Sequence, residues 1–172
     1  MNKIDIERII RHMLSSHRQV ARCFPKASLR AIEQAITASE TDHLGEIRFV
    51  IENALDCLPL LKGQTARERA LDVFSQLRVW DTEHNNGVLI YVLLADRDVE
   101  IVADRGIHAK SISDEWEQIC RMMESAFRQD QYEDGVIRGI QAIGQHLKKH
   151  FPADEPAIPE NKNELPDAPV LL

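Results

Sequence analysis

The sequence is poor in cysteine and in long hydrophobic runs, and each shortage excludes a class of protein. The three cysteines are an odd number and form no Cys-x-x-Cys pair, so we expect neither a disulfide framework nor a zinc ribbon. The longest uncharged apolar stretch is residues 87–95, whereas a membrane-spanning helix needs about 20 residues. Acids at positions 5 and 7 lie where a signal peptide would have its apolar region. We therefore expect a cytoplasmic protein without a transmembrane segment.

Motifs that bind phosphate or activate a nucleophile are also missing. The chain has no Walker loop, no Gly-x-Gly-x-x-Gly pattern and no Gly-x-Ser-x-Gly elbow, the short patterns that carry nucleotide binding and serine hydrolysis. Cys120 falls on an apolar helical face, which does not support a cysteine nucleophile. We expect no organic cofactor.

Charge is distributed unevenly along the chain. The net charge is −7, yet the first 30 residues hold seven basic side chains and only two acidic ones. This basic start contains one aromatic residue, Phe24, so it lacks the stacking platform of a single-strand binder. The acidic remainder would also repel a polyanion. We expect no nucleic-acid partner, and we expect the first helix to pack on its own domain or on an acidic partner.

That first helix is amphipathic. Its apolar residues recur at the spacing of one helical stripe, and they are Ile6, Ile9, Ile10, Met13 and Leu14. Arg8 and Arg11 point elsewhere. With a second predicted helix after Pro25, this segment is interpreted as an N-terminal helical extension over residues 1–42.

The periodicity then changes to a mixture of strands and helices. Strands are predicted at 47–51, 87–95 and 99–103. A capping box formed by Thr65 and Glu68 begins a helix between the first two strands, and two more helices follow the third. A strand, a crossover helix and a second strand imply a parallel pair, while the short polar break at 96–98 implies an antiparallel return.

These elements predict an α/β fold, a three-layer α/β/α sandwich around a small mixed β-sheet. We place this domain at residues 43–152. Residues 153–172 contain four prolines with acids between them, which predicts a disordered, acidic, proline-rich tail.

In this topology three polar loops, at residues 42–46, 80–86 and 104–108, share one end of the sheet. Their oxygen-rich side chains suit a hard cation such as Ca²⁺ or Mg²⁺. The candidate metal ligands are Glu46, Asp81, Glu83, Asn85 and Asp104. The alternative is that these acids form a solvated rim, because polar loops are the rule on any domain.

Four segments in this order resemble the TPM domain family, named for a thylakoid acid phosphatase, a photosystem II repair protein and a modulator of nematode acetylcholine receptors. The segments are residues 45–52, 67–70, 85–92 and 99–107, and the similarity extends over roughly 45–151. The resemblance implies an α/β/α sandwich with an acidic site at one sheet end. It further implies a divalent cation in some members and weak acid phosphatase activity in at least one branch.

The family motifs are matched with two departures. The turn at Asn85, Asn86 and Gly87 matches the family's Asp-Asn-Gly, and residues 104–108 match its Gly-x-Gly-Leu-Glu. Asn85 and His108 therefore stand where the family has carboxylates, which weakens a metal site carried over from it, although Asp104 adds one carboxylate. Many members also have a signal peptide and a membrane segment, and their absence here implies a soluble, bacterial-type branch.

Two functions follow as hypotheses. In the first, a metal-assisted phosphatase, Asp81, Glu83 and Asp104 hold a cation that polarises the phosphoryl oxygens, and His84 or His108 donates a proton. The catalytic candidates are thus Asp81, Asp104, His84 and His108. In the second, the chain is a non-catalytic binding module for a protein or membrane-associated partner. The sequence favours the second, because no dedicated nucleophile is evident and the ligand set is incompletely matched.

Overall fold

Eight helices and four strands make up the described part of the chain. The structure is a computed structural model, and it describes residues 5–108, 113–153 and 163–172. The helices are α1 (Ile6–Leu14), α2 (His17–Cys23), α3 (Lys26–Glu40), α4 (Cys57–Leu61), α5 (Ala66–Gln76), α6 (Arg105–His108), α7 (Ser113–Phe127) and α8 (Tyr132–His150). The strands are β1 (Glu46–Glu52), β2 (Gly87–Leu93), β3 (Asp98–Ala103) and β4 (Val170–Leu171). Across these ranges, no helix combines the length and the apolar character that crossing a bilayer requires.

The four strands form one mixed sheet in the order β3-β2-β1-β4. β1 and β2 are parallel, and their pairing begins with Glu46 opposite Gly87. β3 returns antiparallel to β2, with Ala103 opposite Val88. Helix α5 lies in the crossover between the parallel strands, as such a connection normally requires. The predicted parallel pair and the predicted return strand are both confirmed.

Helices cover both faces of the sheet and so produce three layers. On one face, Ile47, Phe49 and Ile51 share a core with residues of α3, α7 and α8. On the other face, Val50 and Leu89 pack with residues of α5. β2 is buried along its whole length, as expected for a strand covered on both sides. The predicted α/β/α sandwich is confirmed.

Helix α3, within the predicted N-terminal extension, contributes directly to this core. Ile32 and Ile36 are fully buried, and the helix packs against α8 and β1. Just before α3, the ring of Phe24 makes edge contacts with Phe49 and Phe127. These aromatic contacts join the N-terminal helices to the sheet and to α7.

Buried carboxylates hold helices against the sheet. Glu52, at the end of β1, accepts two hydrogen bonds from Arg69 of α5, at 2.8 and 2.9 Å. The Tyr91 hydroxyl donates a third at 2.6 Å. Such bidentate pairs are geometrically specific, so they fix α5 in one orientation on its face of the sheet.

Helix α1 packs on its own domain, as expected, but mainly through its polar side chains. Asp96, in the turn after β2, lies 2.8 Å from Arg8, 2.7 Å from Arg11 and 3.0 Å from His12. The buried His12 also accepts a hydrogen bond from the Leu55 amide at 3.0 Å. Burial alone would raise the pKa of Asp96, but the hydrogen bonds from the three basic side chains outweigh it and lower that pKa.

Apart from Ile9, which packs against the core on the α5 side of the sheet, the apolar stripe of α1 consequently points outward. Ile6, Ile10, Met13 and Leu14 are exposed, and Leu58 and Leu61 of the adjacent helix α4 are exposed with them. We call these six residues the apolar face. Periodicity identifies which residues share a side of a helix, but the largely buried carboxylate of Asp96, 11% exposed, decides which side turns inward. An unpaired buried charge costs more than an exposed aliphatic side chain.

Residues 163–172, within the segment predicted to be a disordered tail, contain the fourth strand. Val170 and Leu171 pair in parallel with Val50 and Ile51 and thus add β4 to the edge of β1. Leu165 is buried in the core on the α5 side of the sheet. Long-range contacts with β1 order this stretch despite its prolines, and local composition carries no sign of them. Residues 154–162 of the predicted tail lie outside the described residues.

Replacing Asp96 with alanine would leave Arg8 without its counter-charge and His12 Nε2 without the carboxylate that lies 3.0 Å from it. We expect the free energy of unfolding to fall by about 2–3 kcal/mol and the amides of α1 to lose protection from hydrogen exchange. Urea unfolding and hydrogen exchange measure the two effects.

Arg11→Ala is the matched control, because the Arg11 side chain is 52% exposed. Exposed ion pairs contribute only about 0–1 kcal/mol. Equal losses in the two variants would contradict the role assigned to the buried carboxylate.

Candidate functional site

The three loops predicted to converge do meet at one end of the sheet. The Glu46 amide donates to the Asn86 carbonyl at 3.1 Å. The Asp104 amide donates to the Gly87 carbonyl at 2.9 Å. The Asn86 side-chain amide also donates to the Leu44 carbonyl. Direct hydrogen bonds therefore join the loops before β1, before β2 and after β3.

Close approach between the second and third loops requires glycine. A Cβ on Gly106 would lie 2.5 Å from the Asn85 carbonyl oxygen, so no larger residue fits without moving a loop. Asn85 itself has a φ of 51°, in the left-handed region that asparagine tolerates better than most residues. Its side-chain oxygen accepts a hydrogen bond from Arg105 Nε at 3.0 Å. This candidate ligand is therefore engaged by an arginine.

Glu46, a second candidate ligand, binds the C-terminal segment. Its carboxylate accepts hydrogen bonds from the backbone amides of Glu164 and Leu165, at 3.2 and 3.1 Å. Burial, opposed by the Leu165 amide and aided by the nearby Glu164 carboxylate, raises the pKa of Glu46. In return, the Glu164 side chain accepts from the Glu83 amide at 2.9 Å. The C-terminal segment thus lies across the first two loops of the predicted site.

Asp104 is the predicted site residue with a buried carboxylate oxygen left to bind a ligand. One carboxylate oxygen accepts from the Arg105 amide at 2.7 Å, while the other, Oδ2, is buried and has no hydrogen-bond partner among the described residues. The side-chain oxygen of Asn86 is likewise buried and unpartnered. Two such oxygens at one sheet end could accept a cation or a donor group, yet a calcium ion normally takes about 6–8 oxygen ligands.

The remaining candidates are exposed to solvent, or have a side chain that the structure does not describe. Asp81, Glu83 and His84 are exposed. The side chain of His108 is outside the described part of the structure. Among the described residues, no three His, Cys, Asp or Glu side chains form a group able to hold a metal ion. The metal site and the catalytic roles assigned from the sequence stay predictions.

Glu40 is a residue of this end that sequence reasoning missed. At the end of α3, its carboxylate accepts from the Ile47 amide at 2.7 Å. Burial, together with the carboxylates of Glu46 and Asp167, raises the pKa of Glu40 from its usual 4.5 to about 8 and outweighs the lowering effect of the Ile47 amide. No local pattern distinguishes this glutamate, since its environment comes from β1 and the distant C-terminal segment.

An α/β/α sandwich with a polar site built from three loops at one sheet end defines the class of protein. A family model of the TPM domain matches residues 18–146. The chain therefore belongs to the TPM domain family, and the resemblance in its sequence is confirmed. The matched range begins within α2 and includes α3.

Two solved structures are similar to the chain. The NMR structure of the BA42 protein from the psychrophilic bacterium Bizionia argentinensis is 30% identical, with a TM-score of 0.73, over 85% of this chain and 93% of that one. The NMR structure of the N-terminal domain of a P. gingivalis protein is 18% identical, with a TM-score of 0.58, over 82% and 95%; it shows the fold alone. No curated protein matches the chain.

The raised pKa of Glu40 predicts a pH dependence of stability. A carboxyl whose pKa is raised by folding favours the folded state when protonated, so its contribution is lost as the pH rises from about 4.5 to about 8. Glu40→Gln keeps an acceptor for the Ile47 amide and carries no charge. We expect this variant to match the wild type near pH 5 and to exceed it in stability near pH 9.

Urea unfolding of both proteins at the two pH values measures this difference. Because other groups titrate in the same interval, the quantity compared is the gap between variant and wild type. A gap that stays constant with pH would contradict the environment described for Glu40.

Proposed function

We propose that the chain is a non-catalytic binding module that takes an extended peptide segment of a protein partner along the β1 edge and the adjoining loops. The observation that carries this proposal is that the same surface holds the chain's own residues 163–172. A sheet edge that receives an extended segment is a common mode of peptide recognition.

The contacts to this segment are largely with its backbone. Glu46 accepts from two consecutive amides, and Arg48 donates to the carbonyls of Pro166 and Ala168. The Leu172 amide donates to the Ile51 carbonyl at 2.9 Å. Backbone contacts bind many sequences, so they suit a surface that can exchange one extended segment for another.

Side-chain contacts of the C-terminal segment make this surface selective for particular residues in a bound peptide. Leu165 is buried, and Val170 packs against the same core. Asp167 accepts a hydrogen bond from the Thr37 hydroxyl of α3. A partner segment would therefore need an aliphatic residue at the position of Leu165.

A non-catalytic role agrees with how the polar groups are used. Glu46 and Asn85, two of the five candidate ligands, are engaged by the chain itself. Burial raises the pKa of the Cys120 thiol to about 12, which disfavours the reactive thiolate. These contacts support binding over nucleophilic catalysis.

The proposal predicts that a chain ending at residue 153 binds a synthetic peptide of residues 163–172. Glu46→Ala should weaken binding by about tenfold or more, because hydrogen bonds to a charged acceptor contribute about 1.5–3 kcal/mol. Calorimetric titration measures the affinity, and circular dichroism verifies that the shortened chain is folded.

Glu83→Ala is the matched control. Glu83 contacts the segment through its backbone amide, so the loss of its exposed side chain should leave the affinity unchanged. A peptide with Leu165 replaced by aspartate should bind weakly. Failure of the natural peptide to bind, or equal losses in both protein variants, would refute the proposal.

Weak metal-assisted phosphomonoester hydrolysis is the second candidate. The unpartnered oxygens of Asp104 and Asn86 favour it, as does the nearby Arg105 guanidinium, a type of group that binds phosphate well. In that function Asp104, with Asp81 and Glu83, would hold Ca²⁺ or Mg²⁺, and the cation would polarise a phosphoryl oxygen.

A titration with Ca²⁺ or Mg²⁺, followed by amide NMR, tests this candidate. If the site exists, resonances of residues 42–46, 81–86 and 104–108 should move, and Asp104→Ala should abolish the shifts. Hydrolysis of a generic phosphomonoester by the wild type, lost in Asp104→Ala and Asp81→Ala, would establish an enzyme. An absence of shifts at millimolar cation would eliminate the metal-dependent reaction.

A further inference from the structure

We propose that the apolar face of α1 and α4 docks on an anionic membrane surface. This inference is independent of the peptide-binding function, because it concerns the helices at the Asp96 end of the sheet. The six residues of the apolar face are 50 to 79% exposed. A cluster of large apolar side chains exposed to water usually marks an interaction site.

Helix α1, which carries four of the six residues of the apolar face, is fixed to the domain by its polar side chains. Arg8 and Arg11 bind Asp96, Arg8 also donates to the Gln64 carbonyl at 2.9 Å, and His12 accepts from the Leu55 amide. Because polar side chains hold α1 to the domain, its apolar stripe faces solvent without any local unfolding. A surface ordered in advance binds without an added cost of ordering the helix.

The composition of the apolar face suits lipid better than a protein partner. It consists of isoleucine, methionine and leucine and contains no aromatic residue. Protein interfaces draw most of their affinity from tryptophan, tyrosine and arginine anchors seated in pockets. Aliphatic residues on a convex helix surface instead fit the boundary between headgroups and acyl chains, where amphipathic helices insert by about 5–10 Å.

Charge on the surrounding segments complements an anionic surface. Exposed basic side chains lie in α2, at the start of α3 and directly after α4, and they are Arg18, Arg22, Lys26, Arg30 and Lys62. The exposed acids of these segments are Asp5, Glu7 and Asp56. The first 30 residues hold seven basic side chains against two acidic ones, whereas the whole chain has a net charge of −7.

Charge is therefore distributed asymmetrically, because the N-terminal segment is basic and the rest of the chain is acidic. An anionic bilayer attracts juxtaposed basic residues and repels acidic ones. Attraction at the N-terminal helices and repulsion elsewhere would turn the apolar face toward the lipid. Apolar contact and charge thus favour the same orientation.

Co-sedimentation of the intact protein with vesicles tests the proposal. We expect binding to mixed phosphatidylcholine and phosphatidylserine vesicles, weaker binding to pure phosphatidylcholine, and a decrease with added salt, since salt screens the electrostatic part. The double variant Ile10→Glu/Leu14→Glu should lower the partition coefficient by about tenfold or more.

Two further variants make the comparison specific. Leu58→Glu changes the same surface on the other helix and should also weaken binding. Leu71→Glu changes an exposed leucine of α5 that is outside the apolar face and should bind as the wild type does. All substituted residues are exposed, and circular dichroism verifies that each variant is folded.

The outcomes separate the proposal from its alternatives. Binding to phosphatidylserine vesicles that the apolar-face variants lose and Leu71→Glu keeps supports it. Absence of the wild type from both vesicle pellets, or equal binding by all variants, overturns it. A wild-type dimer that Ile10→Glu/Leu14→Glu abolishes, without vesicle binding, also overturns it and makes the apolar face a contact between two copies.

Discussion

The parallel pairing of β1 with β2 is the constraint on which the polar end of the molecule depends. It sets Glu46 opposite Gly87, so the loops that precede the two strands end at the same edge of the sheet. The antiparallel return of β3 then brings Asp104 to that edge, where its amide donates to the Gly87 carbonyl. Gly87 is required there, because a Cβ would lie 2.0 Å from the Val79 carbonyl oxygen.

Three carboxylates that are buried or nearly so hold three segments onto this sheet. Asp96 binds the basic side chains of α1, Glu52 binds Arg69 of α5, and Glu46 binds backbone amides of residues 164 and 165. A buried carboxylate requires hydrogen-bond donors from some other part of the chain. Both terminal segments supply such donors, which is why their positions follow from sheet residues far away in sequence.

Much of the sandwich could be predicted because its signals are local. The capping box of Thr65 and Glu68 is present as predicted, and the apolar run of β2 is buried throughout. The glycines of α8 also pack closely, since a Cβ on Gly139 would lie 2.4 Å from the Met123 sulfur. Helix periods, caps and turns depend on neighbouring residues, so sequence reasoning reaches them.

The features that sequence reasoning missed depend on distant partners. The outward turn of the α1 stripe follows from Asp96, more than 80 positions away. The placement of the C-terminal segment follows from contacts of Leu165 with Glu46 and of Ala168 with Arg48, over 110 positions away. At the candidate site, the convergence of loops could be predicted from topology, whereas the engagement of Glu46 by the C-terminal segment and the environment of Glu40 could not.

Amide hydrogen exchange in the intact protein tests most directly the claim that the C-terminal segment occupies the polar end of the sheet. The account predicts slow exchange at Glu164 and Leu165, whose amides donate to Glu46, and at Leu172, whose amide donates to Ile51. It also predicts that Glu46→Ala removes the protection at Glu164 and Leu165. Exchange at the rate of an unstructured peptide in the wild type would contradict the account.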